Sequence, residues 1–432
     1  MSSIVKWVSD LLSVPWATRP LAPMMRGRSS ILVLHRFADP DRGIVGLDPR
    51  VLRRALEFLR RERYPVVSLE RIFRGLAGEA PPLDRAVAFT LDDGTIDQAE
   101  VAAPIFAEFD CPATIFVVTD FLDGKQWCWW HRVEYVFEAT RRRELRVALG
   151  GELVAYRLDE AARRPRLARD FMERCKRVPE AEKLRAIERL AAAAEVELPA
   201  RPPARYAPMS WDDVRAWEAR GITFGPHTLT HPVLSRTDDA QSEREIAGSW
   251  ARLSAEARRP VPVFCYPNGH TGRDFGPREA ATLRRLRFRG AVTNWPHDWV
   301  SAEDFQRSPD APFAVPRVDF GMDHRGFVGS VSGLWRTKQV IRMQLEMSRP
   351  EAARAPRAAP QGAPAAARAE AQQPATDPPA GHQPALQRPA VHPLAAQQPA
   401  LHPIAGHQPA LHRPLPAGDL IGGAPAASGT AP

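Results

Sequence analysis

The sequence predicts an α/β fold built on a parallel sheet or barrel. Short apolar segments of strand length alternate with segments whose apolar residues recur at helical spacing. This alternation is typical of repeated strand–helix–strand units, which form parallel sheets. Polar residues directly follow several of the apolar segments, and active sites of parallel α/β folds assemble at the carboxyl ends of strands.

The predicted elements follow one another along most of the chain. Residues 31–35, ILVLH, form an apolar strand that ends in a histidine, and residues 47–63 have the spacing of an amphipathic helix. Further strands are predicted over residues 66–69, 86–91, 113–118, 222–225, 261–265, 290–293 and 314–320. Further helices are predicted over residues 96–108, 211–220, 242–257, 278–287 and 334–347.

Three segments lie outside this alternation. Residues 1–29 are predicted to be a lead-in to the barrel domain, which spans residues 30–349. Within that domain, residues of about 121–205 are rich in Arg and Glu at helical spacing and predict a helical insertion. Residues 350–432 consist mainly of Ala, Pro, Gln and His, with too little apolar bulk to offset the entropy of ordering. We expect this tail to be disordered, and its Pro-rich character could serve a protein partner.

Charge and cysteine usage narrow the classes of partner and compartment. The net charge of +8 could favour an anionic glycan, nucleic acid or an acidic membrane face. No compact Lys/Arg block with interleaved aromatic residues occurs, so a solvated basic surface is favoured and no nucleic-acid partner is expected. The four cysteines are scattered singly, no secretory signal is evident, and no apolar run reaches 18 residues. These features predict a cytoplasmic protein without a transmembrane segment.

Two adjacent carboxylates follow one of the predicted strands. The run Thr-Leu-Asp-Asp-Gly occupies residues 90–94, at the end of the strand over residues 86–91. An Asp-Gly turn that caps the next helix would give the same pattern, so this run alone does not indicate a site.

Two histidines lie four residues apart behind another predicted strand. If the segment is one helical turn, His227 and His231 share a face and both rings can reach one metal ion. Two unrelated polar histidines are the alternative. The flanking Gly225, Pro226 and Pro232 indicate a structured turn at a strand end, which favours a functional role.

A third predicted strand ends in a tight turn. Residues 264–269 read Phe-Cys-Tyr-Pro-Asn-Gly, which alone is only a Pro-Asn-Gly turn. In combination, the three runs are far more specific than any one of them.

Together these runs resemble the motifs of the NodB-type polysaccharide deacetylases, carbohydrate esterase family four. Residues 90–94 resemble the family's first motif, Thr-Phe-Asp-Asp-Gly, and His-Thr-Leu-Thr-His at 227–231 matches its second. Cys-Tyr-Pro-Asn-Gly resembles the variant third motif of relatives that act on poly-N-acetylglucosamine and other exopolysaccharides. In the same relatives, a Tyr-His-Arg segment resembles Leu-His-Arg at residues 34–36. The resemblance covers about residues 30–325 and implies a distorted (β/α) barrel of about seven parallel strands.

The resemblance implies metal-dependent hydrolysis of acetamide groups on an N-acetylated polysaccharide or glycan, with release of acetate. Asp93, His227 and His231 provide one carboxylate and two imidazoles, a three-ligand set that leaves positions open for catalysis. The metal is expected to be zinc, with cobalt, nickel or manganese as alternatives. Asp92 fits the role of general base, and the backbone amide of Asn268 that of oxyanion donor.

Two departures from the family pattern shift roles onto other residues. Cys265 stands where the family's third motif usually has Arg, and Arg317 resembles a position that can supply the missing guanidinium. The family's late Leu-x-His motif is not evident, so His35 is the candidate general acid.

Aromatic residues suggest how the substrate binds. Tyr266, Trp295 and Trp299 are the candidate substrate contacts, and core packing is the alternative for the tryptophans. A cluster at positions 127, 129 and 130 could extend the groove from the insertion. Two other functions stay open at this point: hydrolysis of a small non-glycan amide by the same fold, and a non-catalytic protein that only binds glycan.

Overall fold

The structure is a computed structural model that describes residues 19–294 and 298–337. The predicted tail over residues 350–432, Trp295, and most of the helix predicted over residues 334–347 lie outside the described residues. No helix in the described ranges combines the length and the apolar character needed to cross a membrane.

The described chain alternates strands and helices. The strands are β1 Arg28–Leu34, β2 Val87–Asp93, β3 Ala113–Val117, β4 Glu144–Leu149, β5 Glu152–Arg157, β6 Ile222–Pro226, β7 Val263–Cys265, β8 Gly290–Val292, β9 Val300–Ser301 and β10 Val318–Asp319. The α-helices are α1 Pro49–Arg61, α2 Leu69–Leu76, α3 Ala103–Glu108, α4 Thr119–Leu122, α5 Trp129–Ala139, α6 Arg164–Cys175, α7 Glu180–Ala193, α8 Trp211–Glu218, α9 Asp239–Glu256, α10 Pro277–Arg285, α11 Ala302–Gln306 and α12 His324–Val331. A π-helical turn, Gln98–Ala102, leads directly into α3, and short 3-10 turns occur at Arg19–Met25, Pro40–Arg42, Ala161–Arg163, Ala204–Tyr206, Leu234–Arg236 and Ala311–Ala314.

Seven of the described strands run parallel and surround a common interior. Five of them pair in the order β10-β1-β2-β3-β6, and β7 pairs with β8. The two groups meet at irregular seams: Val261 N–H donates to the Phe224 carbonyl at 2.7 Å, and Val315 forms a parallel bridge with Val292. The irregular seams make the barrel distorted, and the predicted fold class is confirmed.

Side chains that alternate along the strands face two different cores. On β1 and β2, Ile31 and Ala88 belong to an inner cluster that includes Phe116 of β3 and the apolar face of α2. Their neighbours Leu32 and Phe89 belong to an outer cluster packed against α1 and α3. Because successive strand residues point to opposite faces, burial on both faces requires the continuous apolar runs that the sequence contains.

Helix boundaries agree with local capping chemistry. Asp48 accepts the N–H of Arg50 in front of α1, whose first residue is Pro49. Ser210 and Asp213 form a reciprocal capping box at the start of α8.

One local prediction was wrong and two need qualification. Residues 66–69 do not form a strand: only Val66 bridges to β2, and α2 begins at Leu69. The helix predicted over residues 96–108 is confirmed, with a π-helical turn inside it at Gln98–Ala102. The segment between His227 and His231 is a loop, so the helical turn considered for it is not formed.

The insertion is not purely helical, in contrast to the prediction. Between α5 and α6 it contains an antiparallel hairpin of β4 and β5 with the turn at Gly150 and Gly151. Both glycines have positive φ, 63° and 86°, which a two-residue hairpin turn of this kind demands. Every second residue of β4 is buried, so the hairpin covers the insertion helices with one face only.

The insertion has a hydrophobic core of its own. Phe171 of α6 lies at its centre, fully buried, with its ring 6.3 Å from that of Phe137 and 6.2 Å from that of Tyr156. The helices α5 and α6 and the hairpin strand β5 therefore meet at this one aromatic cluster.

We predict that Phe171→Ala destabilises the protein by about 3–5 kcal/mol, because the truncation opens a cavity where packing cannot collapse. Urea unfolding followed by circular dichroism measures the change. The matched control is Leu153→Ala in the same insertion, since the Leu153 side chain is 67% exposed and its loss should change stability by less than about 0.5 kcal/mol. Equal effects of the two variants would show that the insertion core contributes little to folding.

Candidate metal centre and catalytic site

The adjacent carboxylates at the end of β2 point to one side because the strand alternation is broken there. Asp92 follows Ala88 and Thr90 on the inner face of the barrel. In a regular strand Asp93 would point to the opposite face, but its φ is +86°. This left-handed conformation, costly for a side chain other than glycine, directs the second carboxylate toward the same cavity.

Asp92 is clamped by the buried guanidinium of Arg317. Nη1 of Arg317 donates to Oδ1 at 2.7 Å, and Nη2 donates to Oδ2 at 2.6 Å. The remaining donors of Arg317 bond the Thr90 hydroxyl and the Thr293 carbonyl, both at 3.0 Å. Burial by itself raises the pKa of Asp92, but the Arg317 charge outweighs it and holds that pKa well below its usual range. Asp92 is therefore a carboxylate of fixed orientation that stays ionised.

Asp93, His227 and His231 form a buried group with the chemistry of a metal site. One ligand atom from each lies within 4.8 Å of the others, and each histidine Nε2 is 3.7 Å from Oδ1 of Asp93. Burial lowers the pKa of His227 to about 4, so this ring is neutral, as a ligand must be. Its Nδ1 lies 2.7 Å from the Cys265 carbonyl, which leaves Nε2 for a metal. Burial and the Asp92 charge raise the pKa of Asp93 to about 8, an environment that a cation would stabilise.

A second possible ligand group fits a metal less well. Asp92, His227 and Cys265 also place ligand atoms within 4.8 Å of one another. However, burial raises the pKa of the Cys265 thiol well above its usual range, and metals bind the thiolate. Both oxygens of Asp92 are already bonded to Arg317. The group that contains Asp93 is therefore the better candidate for holding a metal ion.

The loop that carries the two histidines owes its shape to backbone capping. Thr228 and His231 both have positive φ, 68° and 59°. The hydroxyl of Thr228 accepts the N–H of His231 at 2.9 Å. The buried Glu245 of α9 accepts the N–H groups of Leu229 and Thr230, each at 2.9 Å. This carboxylate fixes Leu229 and Thr230, the two residues between the positions of positive φ, and the sequence motif did not reveal it.

The insertion also contacts the histidine loop. The indole N–H of Trp129 donates to the His231 carbonyl at 3.2 Å, and the Trp130 ring lies 4.4 Å from the His231 ring. Both tryptophans line the site cavity, whereas Trp127 packs against Tyr135 and is buried. Two of the three predicted tryptophans of this cluster thus reach the groove.

His35 lies at the end of β1 and faces Asp92. Its Nε2 is 3.7 Å from Oδ2 of Asp92, and its side chain is 46% exposed in the cavity. The side-chain amide of Gln98 donates to the carbonyls of both His35 and Asp92. Asp97 accepts the N–H of Phe37 at 2.6 Å. Gln98, in the π-helical turn, and Asp97, immediately before it, therefore fix the ends of β1 and β2 relative to each other, a role for which the motifs gave no signal.

The turn after β7 brings Asn268 and Tyr266 to the cavity. Asn268 has φ +60°, and its backbone N–H makes no hydrogen bond with another described residue. Gly269 follows at φ +69°, where a Cβ would come within 2.5 Å of the Asn294 nitrogen. Tyr266 lines the cavity but is buried, with its ring stacked on Phe275 and its hydroxyl donating to the Phe313 carbonyl.

Trp299 does not reach the site. It is buried, its indole N–H donates to the Ser330 carbonyl at 2.7 Å, and it is absent from the cavity lining. The proposed substrate contact is therefore not supported for Trp299, and core packing, the alternative, describes its surroundings. Trp295 lies outside the described residues.

Seven of the predicted site residues line one cavity of about 560 Å³, namely His35, Asp92, Asp93, His227, His231, Tyr266 and Asn268. The carboxyl ends of β1, β2, β6 and β7 supply the floor, and α5 and α6 of the insertion supply a wall. The volume is within the usual range for small-molecule sites, and the polar groups converge on one end.

Comparison with known proteins supports the resemblance. Residues 187–285 match the family model described as polysaccharide deacetylase. The match includes the second and third motifs but not the first, at residues 90–94. It confirms the resemblance to polysaccharide deacetylases that the motifs suggested.

Among solved structures, the chain is similar to the Streptococcus pyogenes deacetylase PplD in complex with acetate. The identity is 17%, the match covers 72% of this chain and 98% of that chain, and the TM-score is 0.45. It is also similar to IcaB from Ammonifex degensii, with 17% identity, coverage of 71% and 97%, and a TM-score of 0.41. The BpsB deacetylase domain from Bordetella bronchiseptica shows 14% identity, coverage of 68% and 96%, and a TM-score of 0.40. No curated protein matches the chain.

We predict that the purified protein binds about one divalent ion per chain, because three neutral or anionic donors converge within one coordination sphere. Elemental analysis should find the ion, and His231→Ala should abolish tight binding. The matched control is His324→Ala, since His324 lies on α12 and does not line the cavity. Full metal content in the His231 variant would place the ion elsewhere.

Proposed function

We propose that this protein is a metal-dependent N-deacetylase that hydrolyses acetamide groups of an N-acetylated polysaccharide and releases acetate. The observation that carries the proposal is the metal-ligand group of Asp93, His227 and His231 beside a carboxylate, Asp92, that Arg317 keeps ionised. The family match over both histidines and the third motif supports the same reaction class.

Asp93, His227 and His231 would hold a divalent ion. One carboxylate and two imidazoles suit zinc best, and cobalt, nickel or manganese could occupy the same donors. Such an ion polarises the acetamide carbonyl and makes water a stronger nucleophile near neutral pH.

Asp92 takes the proton from the attacking water. Its Oδ1 accepts from Arg317 and from the Cys265 thiol, whereas Oδ2 accepts from Arg317 and retains a further lone pair for a water molecule. The two parallel bonds fix the plane of the carboxylate, so its orientation toward the substrate costs no further entropy. The guanidinium of Arg317 thus replaces the arginine missing at Cys265.

Asn268 and His35 act on the two ends of the scissile amide. The backbone N–H of Asn268, in the cavity and without another described partner, suits the carbonyl oxygen as it becomes negative. His35 can protonate the leaving nitrogen, since an amine is expelled only after it gains a proton. Its Nε2 lies 3.7 Å from Oδ2 of Asp92, so acid and base are neighbours at one end of the same cavity.

The substrate class follows from the shape and lining of the site. The insertion wall of the cavity includes the partly buried Trp130 and the buried Trp129. An N-acetylated glycan of the exopolysaccharide type, such as poly-N-acetylglucosamine, fits an open cleft of this kind better than a small amide does.

The decisive experiment is acetate release by metal-reconstituted protein from a panel of N-acetylated glycans and small amides. Turnover on oligosaccharides with none on small amides supports the proposal. Turnover on small amides alone would identify a hydrolase of a different substrate class, and binding of glycans without acetate release would identify a binding protein.

We predict that Arg317→Lys lowers kcat by about 10- to 100-fold with metal content unchanged, because Lys keeps the charge but loses the planar pair of donors. Initial rates of acetate release and elemental analysis measure the two effects. Arg317→Met is the contrasting variant: it leaves Asp92 buried without its ion-pair partner and should destabilise the fold by about 3–5 kcal/mol. Wild-type kcat in Arg317→Lys would exclude the orienting role.

We also predict that His35→Ala lowers kcat on an acetamide by roughly 10²–10⁴-fold, the usual contribution of a general acid. Metal content should be unchanged, because His35 is not in the ligand group. An activated acetate ester serves as the internal control, since its leaving group needs no proton and its hydrolysis should decrease much less. Equal losses on amide and ester, or loss of metal, would contradict the acid role.

A further inference from the structure

A second cavity adjoins the active-site cavity. The active-site cavity has a volume of about 560 Å³ and the second cavity one of about 380 Å³. Glu134 of α5 and Arg169 and Met172 of α6 line both. These three side chains therefore form the boundary between the two cavities.

The shared wall is one face of the insertion helix α6. Residues 169, 172, 173 and 176 line the active-site cavity, a spacing of i, i+3, i+4 and i+7. That spacing defines a single stripe along a helix, so the wall is a continuous helical surface. The opposite side of α6, including Phe171 and Cys175, is buried in the core of the insertion, which makes the wall rigid.

Glu134 and Arg169 are two opposite charges at the junction, and neither pairs with a residue in the described part of the chain. Most of their neighbours in the second cavity are already bonded: Arg205 pairs with Glu138, and the Arg164 guanidinium donates to carbonyls at the end of α5. Burial raises the pKa of Glu134 to about 6, which shows that this carboxyl is partly withdrawn from water. A charged group withdrawn from water is costly unless a ligand bonds it.

The rest of the second cavity has the mixed lining of a carbohydrate site. Phe137 and Tyr206 lie behind its lining and are themselves buried, whereas Val45 at the rim is 91% exposed. A few polar groups that fix orientation, set among apolar surface, are the usual composition of a small-ligand site.

We propose that Glu134 and Arg169 form a sugar subsite, and that the second cavity holds the residues of the glycan next to the one that reacts. Arg169 donates to sugar hydroxyl oxygens and Glu134 accepts from sugar hydroxyl groups, which gives each a partner. The insertion thereby makes the protein selective for a polymer over a single sugar or a dimer. This inference rests on the proposed function for the identity of the glycan.

The test compares the affinities of N-acetylglucosamine dimer and hexamer for the full-length, metal-loaded protein. Rapid-mixing tryptophan fluorescence suits it, because Trp129 and Trp130 line the cavity and report binding whether or not acetate is released. The hexamer extends past the junction and should bind about tenfold more tightly than the dimer, the gain expected from hydrogen bonds to charged groups.

Arg169→Met and Glu134→Gln should each reduce the hexamer-to-dimer affinity ratio to less than about threefold. Arg169 is exposed, so its replacement leaves the fold intact. The matched control is Arg166→Met, an exposed arginine on the same helix that lines neither cavity, and it should keep the tenfold ratio.

Equal affinities of dimer and hexamer for the wild type, failure of both to bind, or an unchanged ratio in both junction variants would overturn the subsite. A tenfold ratio that the junction variants abolish, in a protein that releases no acetate, would instead refute the deacetylase function and leave the subsite standing.

Discussion

The site depends on one buried ion pair, that between Arg317 and Asp92. The two residues are in contact although they lie 225 positions apart in the sequence. A buried pair is stabilising only when its remaining donors and acceptors are satisfied, since desolvation otherwise exceeds the attraction. Here the spare donors of Arg317 bond Thr90 on β2 and the Thr293 carbonyl after β8. The pair therefore joins β2 to the irregular seam where Val292 and Val315 meet. The same guanidinium therefore both helps to close the barrel and orients the Asp92 carboxylate.

The same pair separates the functions of two adjacent carboxylates. Both oxygens of Asp92 accept hydrogen bonds from the Arg317 guanidinium. The positive charge lowers the pKa of Asp92 by more than burial raises it, so this pKa lies well below its usual range. Asp93 has no comparable cation in direct contact among the described residues, and burial with the Asp92 charge raises its pKa to about 8. Two like charges one residue apart are tolerable only if each has its own counter-charge. Arg317 supplies the counter-charge of Asp92, and because both histidines around Asp93 are neutral, the proposed metal ion would supply the other. In the proposed mechanism, the roles of base and ligand thus follow from which carboxylate Arg317 can reach.

The sequence predicted what strand ends can reveal and missed what depends on distant contacts. Strand carboxyl ends locate His35, the two aspartates, the histidine pair and the Asn268 turn, and the structure brings all of them to one cavity. The spacing of His227 and His231 suggested a helical turn, whereas positive φ at Thr228 and His231 brings the rings together in a loop. Glu245 and Gln98, which fix that loop and the strand ends, act through backbone groups and leave no motif. The β4–β5 hairpin was predictable in principle, because alternating apolar residues flank Gly-Gly, but the surrounding Arg- and Glu-rich helices dominated the pattern.

The insertion connects the stability of the fold to the chemistry of the site. Its own aromatic core orients α5 and α6, and α5 in turn holds Trp129 against the His231 carbonyl. The buried Lys183 of α7 pairs with Glu180, and its ammonium group lies 4.5 Å from the centre of the Trp129 ring. This cation–π contact also holds the indole in place. A metal-bound histidine requires its backbone to stay in place to within a fraction of an ångström. The insertion, which lies outside the motifs of the resemblance, therefore supports the His231 loop through Trp129 and shapes the cavity through α6. A change that loosened its core would disturb both, because α5 contacts the loop and α6 lines the cavity.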